Sequence, residues 1–324
     1  MADLCGKRLV IVVASFLLSA AILLSATSTS LRQIIFWRFM QGIVTPGVFA
    51  VAVAYIHDRW DGARAATTTA AYVTGTVVGG FLGRVVAGEV AARWGWRASF
   101  VVVGALSLAC ALALSLTLPE QAAESRRHSV QLQGWRWSHL MTRPLLGTYS
   151  AGFCVLFTQI AMFTYVTFHL AAPPFLLSTA ALGWLFAVYL AGAVLTPISA
   201  RWINRYGHRA ALAIAIAIGV AGSLLTLGHL LAGVVAGLAL VSSGVFIAQA
   251  AANGYIGVAA RSDRGLAVGM YATFYYIGGS VGGAAPALFW NTGGWPACVA
   301  LVIAVQIVTA MFGWTFWRPA PAVA

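Results

Sequence analysis

The residues of this sequence that could form a polar network lie in two short turns of matching pattern. Each turn has an acid or its amide, a glycine three positions later and then basic residues: Asp3, Gly6, Lys7 and Arg8 in DLCGKR, and Asn204, Gly207 and Arg209 in NRYGHR. An aspartate in such a turn accepts hydrogen bonds from arginine, and glycine permits a tight bend. We expect two elbows whose contacts form in one conformational state and break in another, with ordinary solvated basic turns as the alternative.

Three ionisable side chains lie inside long apolar stretches, where a charge is costly and therefore functional by default. Arg38 lies ~9 Å inside its stretch if each helical residue rises ~1.5 Å, and Arg84 lies at a comparable depth. Both side chains are long enough to reach outward to a polar interface, which is the alternative. Glu89 is the one acid outside the polar turns, and we expect either a proton carrier or an ion pair with Arg93 four residues later.

The sequence shows no pattern of a metal or nucleotide site. It lacks HExxH and GxxxxGK[ST], and its four cysteines are scattered without a CxxC pair. We therefore expect no catalytic residues, no metal and no cofactor, and a gradient rather than ATP as the source of energy.

The composition indicates a polytopic membrane protein, because 61% of the 324 residues are hydrophobic and only 8% are charged. A bilayer requires about 20 mainly apolar residues per helix. Ten segments meet this requirement and predict an all-α membrane protein: 8–26, 31–57, 65–90, 98–118, 145–169, 178–201, 209–229, 231–259, 264–290 and 297–317.

A polar, basic segment divides these spans into two groups. We expect an incomplete bundle of four spans in 1–118, a cytoplasmic linker in 119–144, a six-helix bundle in 145–317 and a cytoplasmic tail in 318–324. If loops alternate between the two sides, 14 of the 19 basic residues lie on the side of the N terminus. This bias predicts that both termini are cytoplasmic and explains the net charge of +12 without a nucleic-acid partner.

An internal repeat underlies this arrangement. Gly6 and Gly207, Asp61 and Asp263, and the runs YVTGTVVGG and YYIGGSVGG recur at offsets of 201 to 203 positions. A near-constant offset indicates two copies of one unit in the same orientation, which argues against a secretory signal at the N terminus. The second copy has two spans before its elbow and the first has none. We therefore expect two helices to be missing before Met1, through a late start codon, a truncated gene or a genuine fragment.

Two helical halves, a basic linker and an elbow of the form D-x-x-G-x-[RK] before the third helix of each half resemble the major facilitator superfamily, and most closely its bacterial drug or sugar efflux permeases of the drug:proton antiporter type. The resemblance implies a two-bundle fold with ten of the usual twelve helices, four plus six. FWRFMQG, with Arg38, Gln41 and Gly42, resembles the R-x-x-x-G pattern of the fourth helix, where the arginine is associated with proton coupling. GTVVGGFLGR resembles the antiporter motif G-x-x-x-G-P-x-x-G-G, but Gly80 replaces the proline and Arg84 the last glycine.

The resemblance also implies which residues line a cavity and which pack helices. Cavity helices here carry Gln41 beside Arg38, and further polar or aromatic side chains at Gln159, Gln249, Asn253 and Tyr275. Amides there either bind substrate or join helices, and the scarcity of charge favours a neutral or lipophilic substrate. Small residues permit close helix packing, which we expect at Gly75, Gly79, Gly80, Gly83, Gly278, Gly282 and Gly283.

These features together predict a secondary transporter of the bacterial inner membrane. We expect a monomer in the lipid bilayer that exports a small organic molecule, such as a drug or sugar, in exchange for protons by alternating access. An importer or uniporter of the same fold, an inactive remnant, a membrane scaffold and a membrane enzyme are the other interpretations.

Overall fold

The computed structural model describes residues 6–60, 62–119, 141–260 and 264–317, and these residues form helices and short connections without a strand. Nine helices follow one another in this part of the chain: α1 Lys7–Ala26, α2 Leu31–Arg59, α3 Gly62–Thr117, α4 Arg143–Ala171, α5 Thr179–Leu185, α6 Val188–Leu225, α7 Leu231–Ala259, α8 Arg264–Ala284 and α9 Pro286–Phe316. Because hydrocarbon offers no water to bind backbone N–H and C=O groups, a chain this apolar satisfies them within helices. The predicted all-α fold is confirmed for these residues. The predicted elbow residue Asp3, most of the linker (120–140) and the tail (318–324) lie outside them.

Local sequence signals set several helix boundaries. The hydroxyl of Ser30 caps α2 by accepting a hydrogen bond from the backbone N–H of Gln33, at 3.4 Å. Pro144 and Pro286 lie in the first turns of α4 and α9, where the missing N–H breaks no helical hydrogen bond. Pro286 also explains why the predicted span 264–290 is divided between α8 and the start of α9.

Three helices contain a glycine in a non-helical conformation, where the helix axis changes direction. They are Gly95 in α3 (φ 81°, ψ 169°), Gly207 in α6 (φ 82°, ψ 162°) and Gly294 in α9 (φ 60°, ψ −147°). Side chains disfavour this backbone region, which explains why glycine occupies it. Each glycine lies at a predicted boundary between two spans. The sequence predicts a loop of several residues at each boundary. In the structure the helix continues through the boundary and bends at this single glycine, which we call the pivot residue.

Seven helical segments of the described chain are long and apolar enough to cross a membrane, judged by length and composition. One of them, Thr67–Thr117, covers two of the predicted spans, and Thr179–Gly192 is a shorter apolar segment. The count of ten spans stays a prediction, and so does the loss of two helices before Met1.

The described residues form two compact units, and the first comprises those of Met1–Gln133 together with Ser178–Trp184. In this unit α1 packs against both α2 and α3. Small side chains permit the close approach: a Cβ atom added at Gly47 of α2 would lie 3.0 Å from the Cβ of Ala14 in α1.

The second unit comprises the described residues of Gly134–Leu177 and Leu185–Ala324. Helix α4 packs against α7, α8 and α9, while α6 packs most extensively against α7. Gly222 of α6 and Gly237 of α7 cross so closely that a Cβ on either would lie 2.6 Å from the carbonyl oxygen of the other. Phe157 and Val302 form part of the buried core between α4 and α9.

Replacing Gly95 by alanine tests the pivots. A Cβ at Gly95 would meet no atom of the described residues within 4 Å, so the penalty is purely one of backbone strain. We expect Gly95→Ala to destabilise the protein by about 1–3 kcal/mol, measured as a lower midpoint of thermal unfolding in detergent. The control is Gly79→Ala, whose Cβ is equally unobstructed but enters a regular helix, where alanine stabilises by up to about 1 kcal/mol. Equal effects of the two changes would contradict the strain at Gly95.

Candidate functional site

The first elbow joins the ends of three helices in the first unit. Gly6 precedes α1 with a φ of 89°, in the region that favours glycine. Lys7 forms an ion pair with Asp58 near the end of α2. Nη2 of Arg8 donates a hydrogen bond of 2.9 Å to the backbone carbonyl of Ser115 near the end of α3. The two basic elbow residues therefore hold α2 and α3 to α1.

The second elbow makes a corresponding connection in the second unit. Gly207 forms the pivot, and the backbone of Asn204 lies in α6 just before it. The guanidinium of Arg209 lies over the indole ring of Trp314 near the end of α9, with Cζ 3.7 Å from the ring centroid. Arg209 thus contacts the end of α9, as Arg8 contacts the end of α3 in the other unit.

A second pair of repeat-related contacts lies at the opposite ends of the same helices, and the sequence did not predict it. In the first unit, Nη2 of Arg97 donates to the carbonyl of Ser28 at 3.1 Å. In the second unit, Nε1 of Trp295 donates to the carbonyl of Thr226 at 3.0 Å. Donor and acceptor are 69 positions apart in both units. The signal that could have revealed this pair is the Gly-Trp dipeptide at each pivot, at 95–96 and 294–295.

A third pair of contacts lies between these two levels. The hydroxyls of Ser19 in α1 and Ser107 in α3 are 2.8 Å apart. In the second unit, the hydroxyl of Ser223 in α6 approaches Oε1 of Gln306 in α9 at 3.5 Å. In both units, therefore, the helix after the elbow is joined at three levels to the segment after a second glycine pivot: α3 after Gly95 and α9 after Gly294. The repeat itself stays a prediction.

The predicted pair of Arg38 and Gln41 is connected in the structure. Nη1 of Arg38 donates to Oε1 of Gln41 at 3.4 Å. Gln41 is buried, and its Nε2 donates to the carbonyl of Ala21 at 3.2 Å and to the hydroxyl of Ser25 at 3.1 Å, both in α1. The Arg38 guanidinium also lies 5.1 Å from the ring centroid of Phe100. Gln41 thus fixes one side of Arg38 to α1.

Gly80 and Arg84, the two residues that differ from the antiporter motif, contact each other. Nη1 of Arg84 donates to the carbonyl of Gly80, one turn earlier in α3, at 2.9 Å. A Cβ at Gly80 would lie 3.5 Å from the same Nη1. The guanidinium therefore folds back along its own helix.

Glu89 binds partners with both carboxylate oxygens. Oε2 pairs with Nη2 of Arg93 at 3.1 Å, and Oε1 accepts a hydrogen bond of 3.0 Å from the indole Nε1 of Trp184 in α5. Next to this contact the backbones of α3 and α5 meet, because a Cβ at Gly88 would lie 3.2 Å from Cα of Gly183. The sequence offered the pair with Arg93 as one interpretation, whereas the contact with Trp184 depends on tertiary structure.

The two glycine runs have different surroundings. Cβ atoms added at Gly75, Gly79 and Gly83 would meet no atom of the described residues within 4 Å. In contrast, Gly278 faces the carbonyl of Phe153, and a Cβ at Gly282 would lie 2.5 Å from the carbonyl oxygen of Phe157. Gly283, the third residue of this run, is looser, with Ile160 3.7 Å from its Cβ position. The second run therefore packs α8 against α4.

The predicted cavity amides lie on α4 and α7, two helices that pack together. Gln159 of α4 is 7% exposed, and its Oε1 has no hydrogen-bond donor among the described residues. On α7, Gln249 is partly buried and Asn253 is exposed. Tyr275 of α8 stacks on Tyr271 with their ring centroids 5.8 Å apart. Each of these side chains is uncharged, so the groups that they offer a ligand are hydrogen-bonding and aromatic.

No cluster of three or more metal-ligating side chains lies within the parts of the chain that the structure describes. Lys7, Arg38 and Arg84 are instead paired with a carboxylate, an amide and a carbonyl.

Comparison with known proteins supports the fold and its class. The family model of the Major Facilitator Superfamily matches residues 1–180. The uncharacterized MFS-type transporter YybF of Bacillus subtilis (strain 168) is 27% identical over 314 residues, which are 95% of this chain and 77% of that protein. The inner membrane transport protein YnfM of Escherichia coli (strain K12) is 29% identical over 316 residues, 97% of this chain and 76% of that protein.

A solved structure shows the same fold. It is a bacterial homolog of the human lysosomal transporter Spinster in an inward-facing and unoccupied conformation. It superposes with a TM-score of 0.73 at 17% identity, covering 98% of this chain and 86% of that one.

Replacing Gly282 by alanine tests the contact between α8 and α4. The new Cβ would lie 2.5 Å from a backbone oxygen of Phe157, which cannot move without displacing α4. We expect a loss of stability of about 1–3 kcal/mol, measured as a lower midpoint of thermal unfolding. Gly83→Ala is the matched control, because its Cβ would be unobstructed within the described residues. A midpoint for Gly282→Ala at or above that of the control would disprove the close packing.

Proposed function

Since the chain belongs to the Major Facilitator Superfamily, we propose that it exports a small neutral or lipophilic organic compound in exchange for protons. The family match and the relatives identify it as a multi-pass membrane transporter for small-molecule substrates, not an enzyme. Three parts of this statement are proposals: the direction of transport, the exchange for protons and the class of substrate. Each rests on particular residues.

The proposed class of substrate rests on one observation: the side-chain carbonyl oxygen of Gln159 is buried and has no hydrogen-bond donor among the described residues. A buried amide oxygen without a donor is unfavourable by about 1–3 kcal/mol, which a ligand that supplies an N–H or O–H group would recover. Gln249 and Asn253 on α7 add uncharged hydrogen-bonding groups, and Tyr275 adds an aromatic surface. A neutral compound with a few polar groups fits this set better than a dianion, for which it holds no positive charge.

Proton exchange rests on two charged side chains of the first unit. Arg38 carries a positive charge on α2, and Gln41 holds the position of this charge: it accepts a hydrogen bond from Arg38 and donates one to α1. Glu89 is the carboxylate that would accept the proton, which would end its ion pair with Arg93. The resemblance of α3 to the antiporter motif supports export, while Gly80 and Arg84 mark its departure from that motif.

Alternating access supplies the transport step in this proposal. The elbow contacts of Lys7, Arg8 and Arg209 would be made and broken between access states. The glycine runs, with their small faces, would let helices move past one another. In this proposal the protein acts as a monomer. The basic loops support cytoplasmic termini, and similarity to the inner membrane transport protein YnfM supports the bacterial inner membrane.

Everted membrane vesicles provide the test of export. Respiration acidifies their interior, so a substrate that is pumped inward releases protons, and a pH-sensitive fluorescent dye reports the release. We expect at least one member of a panel of neutral lipophilic drugs and sugars to evoke this signal. Loss of the Gln159 amide should weaken the response to that compound about tenfold at limiting concentration.

Gln159→Leu is the test variant, and Gln33→Leu, in the exposed first turn of α2, is the matched control that should respond like the wild type. A panel without any response would contradict export. So would proton movement only when the compound is inside the vesicles, since that is the behaviour of an importer.

Substitution of the charged residues tests proton exchange separately. Arg38→Ala should abolish the substrate-evoked proton signal while binding of the same compound persists, because the charge is removed and Gln159 is unchanged. Arg32→Ala, six residues earlier and exposed, is the control that should retain the signal. Glu89→Gln should also abolish the proton signal, because an amide cannot take up a proton. Its oxygen can still accept the hydrogen bond from Trp184, so this contact is kept. Proton release by either variant at the wild-type rate would refute the role of that residue.

A further inference from the structure

The second unit contains a small cavity, lined mainly by apolar residues with three polar side chains among them, that the proposed transport steps do not use. Four helices surround it, α4, α6, α7 and α9, and its volume is about 10 Å³. This volume corresponds to roughly one water molecule. Two glycines, Gly219 of α6 and Gly244 of α7, form part of its wall. Nearly all of its lining is buried, including Ala215 and Ala248 at 1% exposure each.

Thr158 of α4 lines this cavity and carries a hydroxyl that is unpaired within the described part of the chain. The residue is 2% exposed, and its Oγ1 has no hydrogen-bond partner among the described residues. Threonine in a helix ordinarily donates to a carbonyl three or four residues earlier. The neighbouring cavity residue Thr309 does so, to Val305 at 2.8 Å, as does Ser223, to Gly219 at 2.9 Å. Thr158 departs from this pattern, so its hydroxyl is available to the cavity.

Gln306 of α9 brings a second polar group to the same cavity. It is 2% exposed, and among the described residues its Oε1 accepts a single long hydrogen bond, of 3.5 Å from Ser223. Its Nε2 lies on the side of Gly219, where an added Cβ would be 2.9 Å away. Gln306 and Gly219 both line the cavity, so the amide N–H groups lie at its wall.

We propose that this cavity binds one water molecule that bridges Thr158 of α4 and Gln306 of α9. The water accepts a hydrogen bond from Nε2 of Gln306 and pairs with Oγ1 of Thr158. The cavity residues of the described chain include no acidic or basic side chain, so a bound ion would lack a compensating charge there, whereas a neutral molecule needs none. A water with two to four polar partners is an ordinary constituent of a buried polar site.

The site has a consequence for the neighbouring residues. Thr158 immediately precedes Gln159, and the cavity residue Ala248 immediately precedes Gln249. A water that joins α4 to α9 would fix the rotation of α4 and hence the placement of Gln159. The site itself does not depend on the proposed transport function, because its test requires no substrate.

The direction of the stability change in Thr158→Val distinguishes a bridged hydroxyl from an unpaired one. Valine has the shape of threonine without the hydroxyl. If water bridges the site, the variant should lower the unfolding midpoint of the detergent-purified protein by about 2–4 °C, and Thr158→Ser should stay near the wild type. If the hydroxyl is unpaired, the substitution removes the desolvation cost of a buried polar group, and the unfolding midpoint rises. That result would overturn the proposal.

Two further variants show whether the effect belongs to the cavity. Gln306→Leu should lower the midpoint, and the double variant with Thr158→Val should fall by less than the sum, because both residues bind the same water. Ser243→Ala is the control for a buried hydroxyl away from the cavity, since Ser243 donates to Ala239 in its own helix. An additive double variant would overturn the bridge, and so would a fall in the control as large as that of Thr158→Val.

Salt exchange separates water from a cation. Replacement of sodium chloride by choline chloride should leave the midpoint unchanged. A stabilisation by sodium that disappears in Thr158→Val would assign the cavity to a cation instead. A high-resolution density map should show one peak within ~2.7–3.2 Å of both Oγ1 of Thr158 and Nε2 of Gln306, and a map without that peak would refute the bridge.

Discussion

The connection of the helix after each elbow to the segment after a second glycine pivot, α1 to α3 in the first unit and α6 to α9 in the second, is the interaction on which the rest of this structure depends. In the first unit it consists of three polar contacts between α1 and α3, at Arg8, Ser19 and Arg97. Apolar side chains provide little preference between helices in lipid, because lipid tails are equally apolar. Polar contacts at three levels therefore determine which helices pair and in which register.

The second unit makes the same connection with different chemistry. Arg97 donates to a helix-terminal carbonyl in the first unit, and the indole of Trp295 does so in the second. Arg8 binds a carbonyl, whereas Arg209 lies over an aromatic ring. The two units thus make contacts at corresponding places with different chemical groups. The cavity beside Gln306 lies in the second unit.

The helical class and the elbow glycines were predictable from sequence because each depends on local chemistry. A positive φ favours glycine, so the residue types alone were enough to predict turns at Gly6 and Gly207. The pair of Glu89 with Arg93 followed from helical spacing. Gln41 was singled out beside Arg38 because three positions along a helix bring side chains together.

The tertiary structure alone decided the contacts between residues that are distant in the chain. The pairing of Glu89 with Trp184, of Gln41 with Ser25 and of Arg97 with Ser28 depends on which helices meet. The sequence marked both glycine runs as small, but only the packing of α8 on α4 distinguishes Gly282 from Gly79. Periodicity and backbone preference are properties of one segment, whereas a contact between segments depends on the free energy of packing the whole bundle.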